Sequence, residues 1–172
     1  MKRLVVFLFL LAFIQAVTAQ QSQEQLASYY FSQGDFEQAA ELCEKQYQRF
    51  PNKYYYQMLY RSYVELAQYK DAQRLIERRM KKYPQELYLY VDLGSLFDKT
   101  GDAKKSLKAY DDAVERVSSD SRQISDLVMA FESVGRLDYA VKTYQSVRQK
   151  LNNNFIYINE VATLYERMGD YE

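Results

Sequence analysis

Hydrophobic and polar residues follow one another along this chain with a helical period, and the whole pattern recurs at a nearly constant interval. Five similar segments begin at Gly34, Ala67, Gly101, Gly135 and Gly169. Successive starts are thus about 34 residues apart, a period that is typical of arrays of helix–turn–helix repeats. The pattern therefore predicts an all-α chain built from paired helices.

The residues that flank these segments recur as well. An apolar residue lies eight positions before each start, and an aromatic residue lies four positions before it. A small residue lies five positions after each of the four complete starts. In chain order these are Leu26, Leu59, Leu93, Leu127 and Val161; Tyr30, Tyr63, Phe97, Phe131 and Tyr165; and Ala39, Ala72, Ser106 and Ala140. Residues four apart share one helix face, and a small side chain lets two helices approach closely. The Gly or Ala at each start is expected to end the first helix in the left-handed conformation.

This pattern predicts a short joint after every helix. The helices are expected at 22–33, 36–49, 53–66, 69–82, 87–99, 103–117, 121–133, 137–150 and 155–168. Pro51 and Pro84 close the first two helix pairs, where proline stops a helix without needing a backbone donor. We predict four full repeats and the first helix of a fifth, at about 20–52, 53–86, 87–120, 121–154 and 155–172.

The chain resembles the tetratricopeptide repeat family over residues 20–172. The resemblance lies in the recurring order of leucine, aromatic, Gly-Asp-Tyr, alanine, aromatic and proline. The resemblance implies an α-solenoid, a superhelix of stacked helix pairs. The chain departs from the family where a tryptophan is usual, since Tyr56, Tyr90, Ile124 and Ile158 stand there. Gln46 and Arg79 occupy a place where alanine is usual. These departures imply altered local packing and not a different fold.

The N-terminal segment, residues 1–19, has the pattern of an export signal. Lys2 and Arg3 precede an uninterrupted apolar run, Leu4–Ile14, and a small-residue stretch ends at Ala19. This arrangement is typical of a cleavable signal peptide, and removal would leave Gln20 at the N-terminus. The alternative is a retained anchor, but the run is short of the roughly 20 residues that span a bilayer. We expect no integral membrane segment after cleavage. The chain resembles exported repeat proteins of the Gram-negative periplasm or envelope.

Composition removes several kinds of chemistry. The 23 basic and 23 acidic residues balance, so the chain has no electrostatic basis for binding nucleic acid. It has no histidine and one cysteine, Cys43, which excludes imidazole catalysis, an intramolecular disulfide and a cysteine zinc cluster. Asp111 and Asp112 point about 100° apart on a helix and make no catalytic pair. We predict no catalytic, metal or cofactor-binding residue and no enzyme activity, unless catalytic residues lie beyond Glu172.

The resemblance implies that the first helix of each repeat lines a concave groove that binds a protein or peptide. By position, the groove residues are Tyr54, Gln57, Arg61, Tyr88, Ser95, Asp98, Ser125, Met129 and Asn159, with Glu24, Ser28, Val91, Glu132 and Thr163 beside them. Of the 18 tyrosines, most are expected to pack in the core. In the run from residue 54 to 56 we place Tyr54 in the groove, Tyr55 at an edge and Tyr56 in the core.

Two other features have a structural and a functional interpretation. The second helix of the second repeat carries five basic residues: Arg74, Arg78, Arg79, Lys81 and Lys82. They predict a solvated face. The alternative is a surface that contacts an anionic partner or a lipid headgroup. Cys43 recurs at a core position and is interpreted as a packing residue and not a nucleophile.

The last predicted helix, 155–168, has no partner from its own repeat. Its apolar residues Phe155, Ile158, Val161, Leu164 and Tyr165 are expected to remain partly exposed. We interpret the sequence as the N-terminal part of a longer chain. The alternatives are a frayed or swapped last helix, or self-association through this face. The predicted function is a non-catalytic scaffold that binds a protein or peptide; the alternative is a structural adaptor or spacer in a larger envelope assembly.

Overall fold

The computed structural model describes residues 22–169, and every regular element in that range is an α-helix. The predicted fold class is therefore confirmed. Helix α1 covers residues 22–32 of the described chain. The helices that follow are α2 (Phe36–Arg49), α3 (Lys53–Glu65), α4 (Tyr69–Lys82), α5 (Tyr88–Lys99), α6 (Ala103–Arg116), α7 (Ser121–Ser133), α8 (Leu137–Leu151) and α9 (Ile158–Met168).

Eight of the nine predicted helices agree with these bounds to within one residue at each end, while α9 begins three residues later than expected. Tyr157 adopts a left-handed conformation with φ of 56°, which a continuous helix from residue 155 would not allow. The backbone N–H of Phe155 instead bonds to the Asn153 side chain at 3.0 Å. The predicted signal peptide, residues 1–19, lies outside the described residues.

The first helix of each repeat ends at a left-handed residue. Gly34, Gly101, Gly135 and Gly169 have φ between 73° and 80°, and Ala67 has φ of 54° at the equivalent place. This is the left-handed region, which glycine occupies without the penalty that a Cβ imposes. The prediction that these residues end the first helices is therefore confirmed.

Aspartate begins the second helix of two of these pairs. The Asp35 carboxylate accepts the backbone N–H of Gln38, and the Asp102 carboxylate accepts that of Lys105. Each bond satisfies one of the amide groups that a helix N-terminus leaves unpaired. A Gly-Asp dipeptide at residues 34–35 and 101–102 thus ends one helix and starts the next.

The chain divides into two compact units within α4, one ending at Leu75 and the other beginning at Ile76. In the first unit, α2 packs on α3, and Ala39 and Cys43 are fully buried. Tyr56 is buried as predicted. Tyr55 is also fully buried, so its expected place at an edge was wrong. Tyr55 lies on α3, on which α2 packs, and its ring meets the Tyr54 ring edge to face at 5.3 Å between centroids.

In the second unit, α5 packs on α6, α7 on α8, and α9 on α8, while α5 also contacts α7 and α6 contacts α8. One core cluster runs through these helices, and its largest members are Leu87, Tyr110, Ile124, Leu127, Phe131, Tyr139 and Leu164. The small residues predicted at close helix contacts, Ala39, Ala72, Ser106 and Ala140, are all fully buried. Ser106 and Ala140 lie in the packed pairs α5–α6 and α7–α8, where the helices approach as the sequence predicts.

The apolar face of the last predicted helix is partly exposed, as predicted: Phe155 is 84% exposed, whereas Val161 and Leu164 are buried. In α1, Leu26 is 37% exposed and Ala27 beside it is buried. One further packing expectation was wrong. Arg79, assigned to the solvated basic face, is only 3% exposed because its guanidinium is bonded inside the second unit.

Within residues 22–169, none of the helices combines the length and the hydrophobicity needed to cross a bilayer.

Candidate functional site

In the first unit, the predicted groove residue Tyr54 joins α1 to α3. Its hydroxyl donates to the Glu24 carbonyl oxygen at 2.5 Å and lies 2.7 Å from the Ser28 Oγ. Burial raises the pKa of this hydroxyl, and the bond to Ser28 partly offsets the effect. Tyr54 is half-buried, and its hydroxyl joins α1 to α3.

Gln57 and Arg61 lie on the same helix and are exposed. The Arg61 guanidinium lies 4.5 Å from the centroid of the Phe31 ring, an attractive arrangement for a cation over an aromatic face. This contact fixes the direction of a long side chain without burying its charge. The first unit thus offers an amide and an oriented guanidinium on α3.

Tyr88 and Val91 do not belong to an accessible surface, since both are buried. The Tyr88 hydroxyl donates to Glu86 at 2.7 Å and accepts from the Arg79 Nε at 3.1 Å. Arg79 is also bonded to both carboxylate oxygens of Glu86, at 2.7 and 2.9 Å. The expectation that Tyr88 lines the groove was therefore wrong, because a buried arginine and its carboxylate hold the tyrosine inside.

Asp98 is exposed, but it is bonded to the core of its own unit. Its carboxylate accepts the Tyr110 hydroxyl at 2.8 Å. The Arg136 guanidinium lies over the rings of Tyr110 and Tyr139, at 4.7 and 4.5 Å from their centroids. Arg136 also donates twice to Asp138, at 3.0 and 2.8 Å, which lowers the pKa of that carboxyl. This network ties α5, α6 and α8 together, and Asp98 is a structural member of it.

The remaining predicted groove residues of the second unit differ in exposure. Ser95 is half-buried, whereas Ser125, Met129 and Asn159 are exposed. Met129 is 62% exposed, and its sulfur lies 3.9 Å from the Ser125 Oγ one turn earlier on α7. Asn159 lies on α9 and lines a cleft between α7 and α9.

This α7–α9 cleft lies within the second unit. Its volume is about 350 Å³. The lining residues come from the two first helices and from α8 beneath them: Val128, Glu132, Tyr144, Asn159, Glu160, Thr163, Leu164 and Arg167. Glu132, Asn159 and Thr163 were in the predicted groove set, so the structure brings these three together. A cleft of this volume is within the usual range for ligand sites, roughly 300–1,000 Å³.

The cleft has an apolar floor. Val128 from α7 and Leu164 from α9 are both buried at its base. The Tyr144 ring is part of the same lining and stacks on Tyr157 at 4.8 Å between centroids. A side chain that enters the cleft would therefore contact methyl groups and an aromatic ring as well as charge.

The walls of the cleft are charged. The Glu132 carboxylate pairs with the Arg167 guanidinium, which links α7 to α9 across the cleft. Burial raises the pKa of the Tyr144 hydroxyl, and the carboxylates of Glu160 and Glu132 raise it further. Both carboxylates therefore act on the same hydroxyl. Within residues 22–169, Glu160 forms no ion pair.

Several cleft residues were missed from the sequence. Glu160 and Arg167 share a helix face with the predicted residues Asn159 and Thr163. Their spacing of three or four residues from Thr163 could have added them to the predicted groove. The sequence did not indicate Tyr144 as a cleft residue, because its repeat position predicts a core residue. The equivalent positions in the other repeats, including Cys43, are indeed fully buried. Tyr144 is half-buried, and this difference depends on the packing of α9.

Comparison with known proteins identifies a family. A family model described as tetratricopeptide repeat matches residues 10–166. No curated protein matches the chain. A crystal structure of MamA superposes with a TM-score of 0.51 at 18% identity, covering 88% of this chain and 81% of that one.

Two further solved structures are similar to this chain. The thermophilic repeat protein TTC0263 of Thermus thermophilus has a TM-score of 0.49 and 18% identity, covering 84% of this chain and 80% of that one. YrrB, described as a repeat protein with an unusual peptide-binding site, has a TM-score of 0.44 and 20% identity, covering 87% of this chain and 78% of that one. At these identities the similarity concerns the fold alone.

Proposed function

Because this chain belongs to the tetratricopeptide repeat family, whose repeats are protein-interaction modules, we propose that it is a non-catalytic scaffold that binds a protein or peptide along its first helices. The observation that carries the proposal is the α7–α9 cleft. Its walls come from the first helices of two successive repeats, and three residues of the predicted groove set meet there. An apolar floor with a few polar groups above it is the usual composition of a recognition site.

The surface of α7 supports the same interpretation. Met129 is the most exposed residue of α7 among the large hydrophobic side chains, and it lies within one helical turn of the cleft residues Val128 and Glu132. Methionine is flexible and adapts to different apolar partners. Together with the cleft, it offers an extended segment an apolar contact beside a charged one.

The proposal includes export to the periplasm or cell envelope. It is supported by the sequence of residues 1–19, which has the basic start, apolar run and small-residue end of a signal peptide. Cell fractionation with mass spectrometry of the mature N-terminus tests this point. We expect the purified protein to begin at Gln20; an N-terminus at Met1 in the cytoplasmic fraction would contradict export.

Binding is tested by affinity capture from an envelope extract, followed by mass spectrometry. The test variant carries Met129→Ala and Asn159→Ala, two exposed positions that no core contact requires. The control carries Lys104→Ala and Lys108→Ala, two exposed positions on α6. Tyr54 and Tyr88 are unsuitable for this purpose, because their hydroxyls hold helices together.

We expect a partner that the wild-type protein and the Lys104, Lys108 control retain and that the Met129, Asn159 variant loses. Circular dichroism should show equal helicity in all three proteins. If all three retain the same proteins, the first-helix surface of the second unit is not where this scaffold binds.

A further inference from the structure

We propose that the α7–α9 cleft accepts a lysine or arginine side chain of the partner segment. The partner's cation would lie at Glu160 and Glu132, and its aliphatic stem would lie over Val128 and Leu164. This inference rests on the proposed function, since it names the chemistry of the ligand at the same site.

Charge is the first argument. The charged side chains that line the cleft are Glu132, Glu160 and Arg167. Arg167 neutralises Glu132, and Glu160 forms no ion pair within residues 22–169. The cleft therefore holds one uncompensated negative charge next to a buried floor. A partner cation would be attracted to it, whereas a partner carboxylate would be repelled by Glu160.

Shape is the second argument. Lysine and arginine carry several methylene groups, which pack along apolar surface while the charged head remains near water. The buried floor formed by Val128 and Leu164 suits such a stem. Tyr144 belongs to the same lining and adds aromatic surface to it. A purely apolar side chain would cover the floor and leave Glu160 without a partner.

Arg167 is expected to compete with a partner cation in the cleft. Its guanidinium already pairs with Glu132 from within the chain. A partner cation would compete with Arg167 for that carboxylate, so the removal of Arg167 should strengthen binding. The alternative is that Arg167 and Asn159 grip a carboxylate of the partner. In that case the removal of Arg167 should weaken binding.

The experiment starts from a displayed library of random peptides, selected on the wild-type protein. Peptides that are selected are then synthesised with a fluorescent label, each beside a version in which a single Lys or Arg is replaced by Gln. Fluorescence polarisation measures Kd against wild type, Glu160→Gln, Arg167→Gln and the control Glu166→Gln. Glu166 is exposed on α9 and does not line the cleft, so its variant makes the same charge change elsewhere.

We expect the selected peptides to be enriched in Lys or Arg next to apolar residues. Glu160→Gln should raise Kd by about two- to fivefold, the effect of one partly exposed ion pair. The Lys-to-Gln peptide should lose a similar factor on the wild-type protein and show no further loss on Glu160→Gln. Arg167→Gln should lower Kd for the Lys peptide, and Glu166→Gln should leave it unchanged.

Each contrary result has a distinct meaning. Peptides that bind without basic residues would overturn this inference and leave the scaffold proposal intact, provided that Met129→Ala with Asn159→Ala still weakens them. If Arg167→Gln weakens binding and Glu160→Gln leaves it unchanged, the partner group that binds in the cleft is a carboxylate and not a cation. Failure to select any peptide would overturn both proposals for this cleft. Thermal melts of every variant separate a loss of binding from a loss of fold.

Discussion

Ala67 is the one joint within residues 22–169 where a helix pair turns through a left-handed residue that is not glycine. The backbone bonds are the same as at the glycine joints. At Ala67 the following amide bonds back to the Tyr63 carbonyl at 2.8 Å, and at Gly101 the corresponding bond runs from Asp102 to Phe97 at 2.9 Å. The geometry of the turn is therefore the same at the two joints, and only the Cβ differs.

The expected effect of Ala67→Gly is a gain in stability. An L-residue in the left-handed region costs roughly 1–2 kcal/mol, which glycine does not incur. Glycine in turn has more freedom in the unfolded chain, which costs about 0.4–1 kcal/mol. The difference between the two ranges is roughly 0–1.6 kcal/mol, so the free energy of unfolding is expected to rise by about 0.8 kcal/mol. For a chain of this size, a gain of about 1 kcal/mol corresponds to about 2–4 °C in Tm.

Gly101→Ala is the matched control and should have the opposite sign. A Cβ at Gly101 would meet no atom within 4 Å, so only the backbone conformation, with φ of 80°, opposes it. Urea denaturation followed by circular dichroism measures both variants. A lower free energy of unfolding for Ala67→Gly, or a higher one for Gly101→Ala, would contradict a backbone cost of the Cβ at these joints.

Three further predictions concern packing. Gly94→Ala should lower the free energy of unfolding by about 1–3 kcal/mol in urea melts, because the new Cβ would lie 2.3 Å from the buried Tyr110 ring. This loss is expected although alanine is the better helix former. An unchanged midpoint would contradict this packing. Arg79→Ala should cost about 3 kcal/mol, since it leaves Glu86 without its buried partner, and a melt that matches wild type would show that the pair is not needed. Burial raises the pKa of Cys43 to about 12, so a thiol reagent at mildly alkaline pH should label it only after urea unfolding, and rapid labelling of the native protein would show that the thiol is exposed.

Periodicity by itself determined the helices of this protein. The bounds depend on local chemistry: a residue that tolerates positive φ at Gly34 and Gly101, and an aspartate after it that accepts a helix amide. The sequence also predicts the close helix contacts, because a small residue such as Ala39 or Ala140 is needed wherever two helices of a pair cross. These are properties of sequence neighbours, so a constant spacing is enough to predict them.

The tertiary structure decided which polar side chains are accessible. Position on a first helix marked Tyr88 as a groove residue, yet its hydroxyl bonds to Arg79 from the preceding helix and Glu86 from the intervening loop, and it is buried. The accessible cleft likewise depends on how α9 packs over α8, which leaves Tyr144 half-buried and brings Glu160 to its edge. Repeat spacing assigns a residue to a helix face. Whether that face meets solvent depends on side chains many positions away, and only the packed structure brings those together.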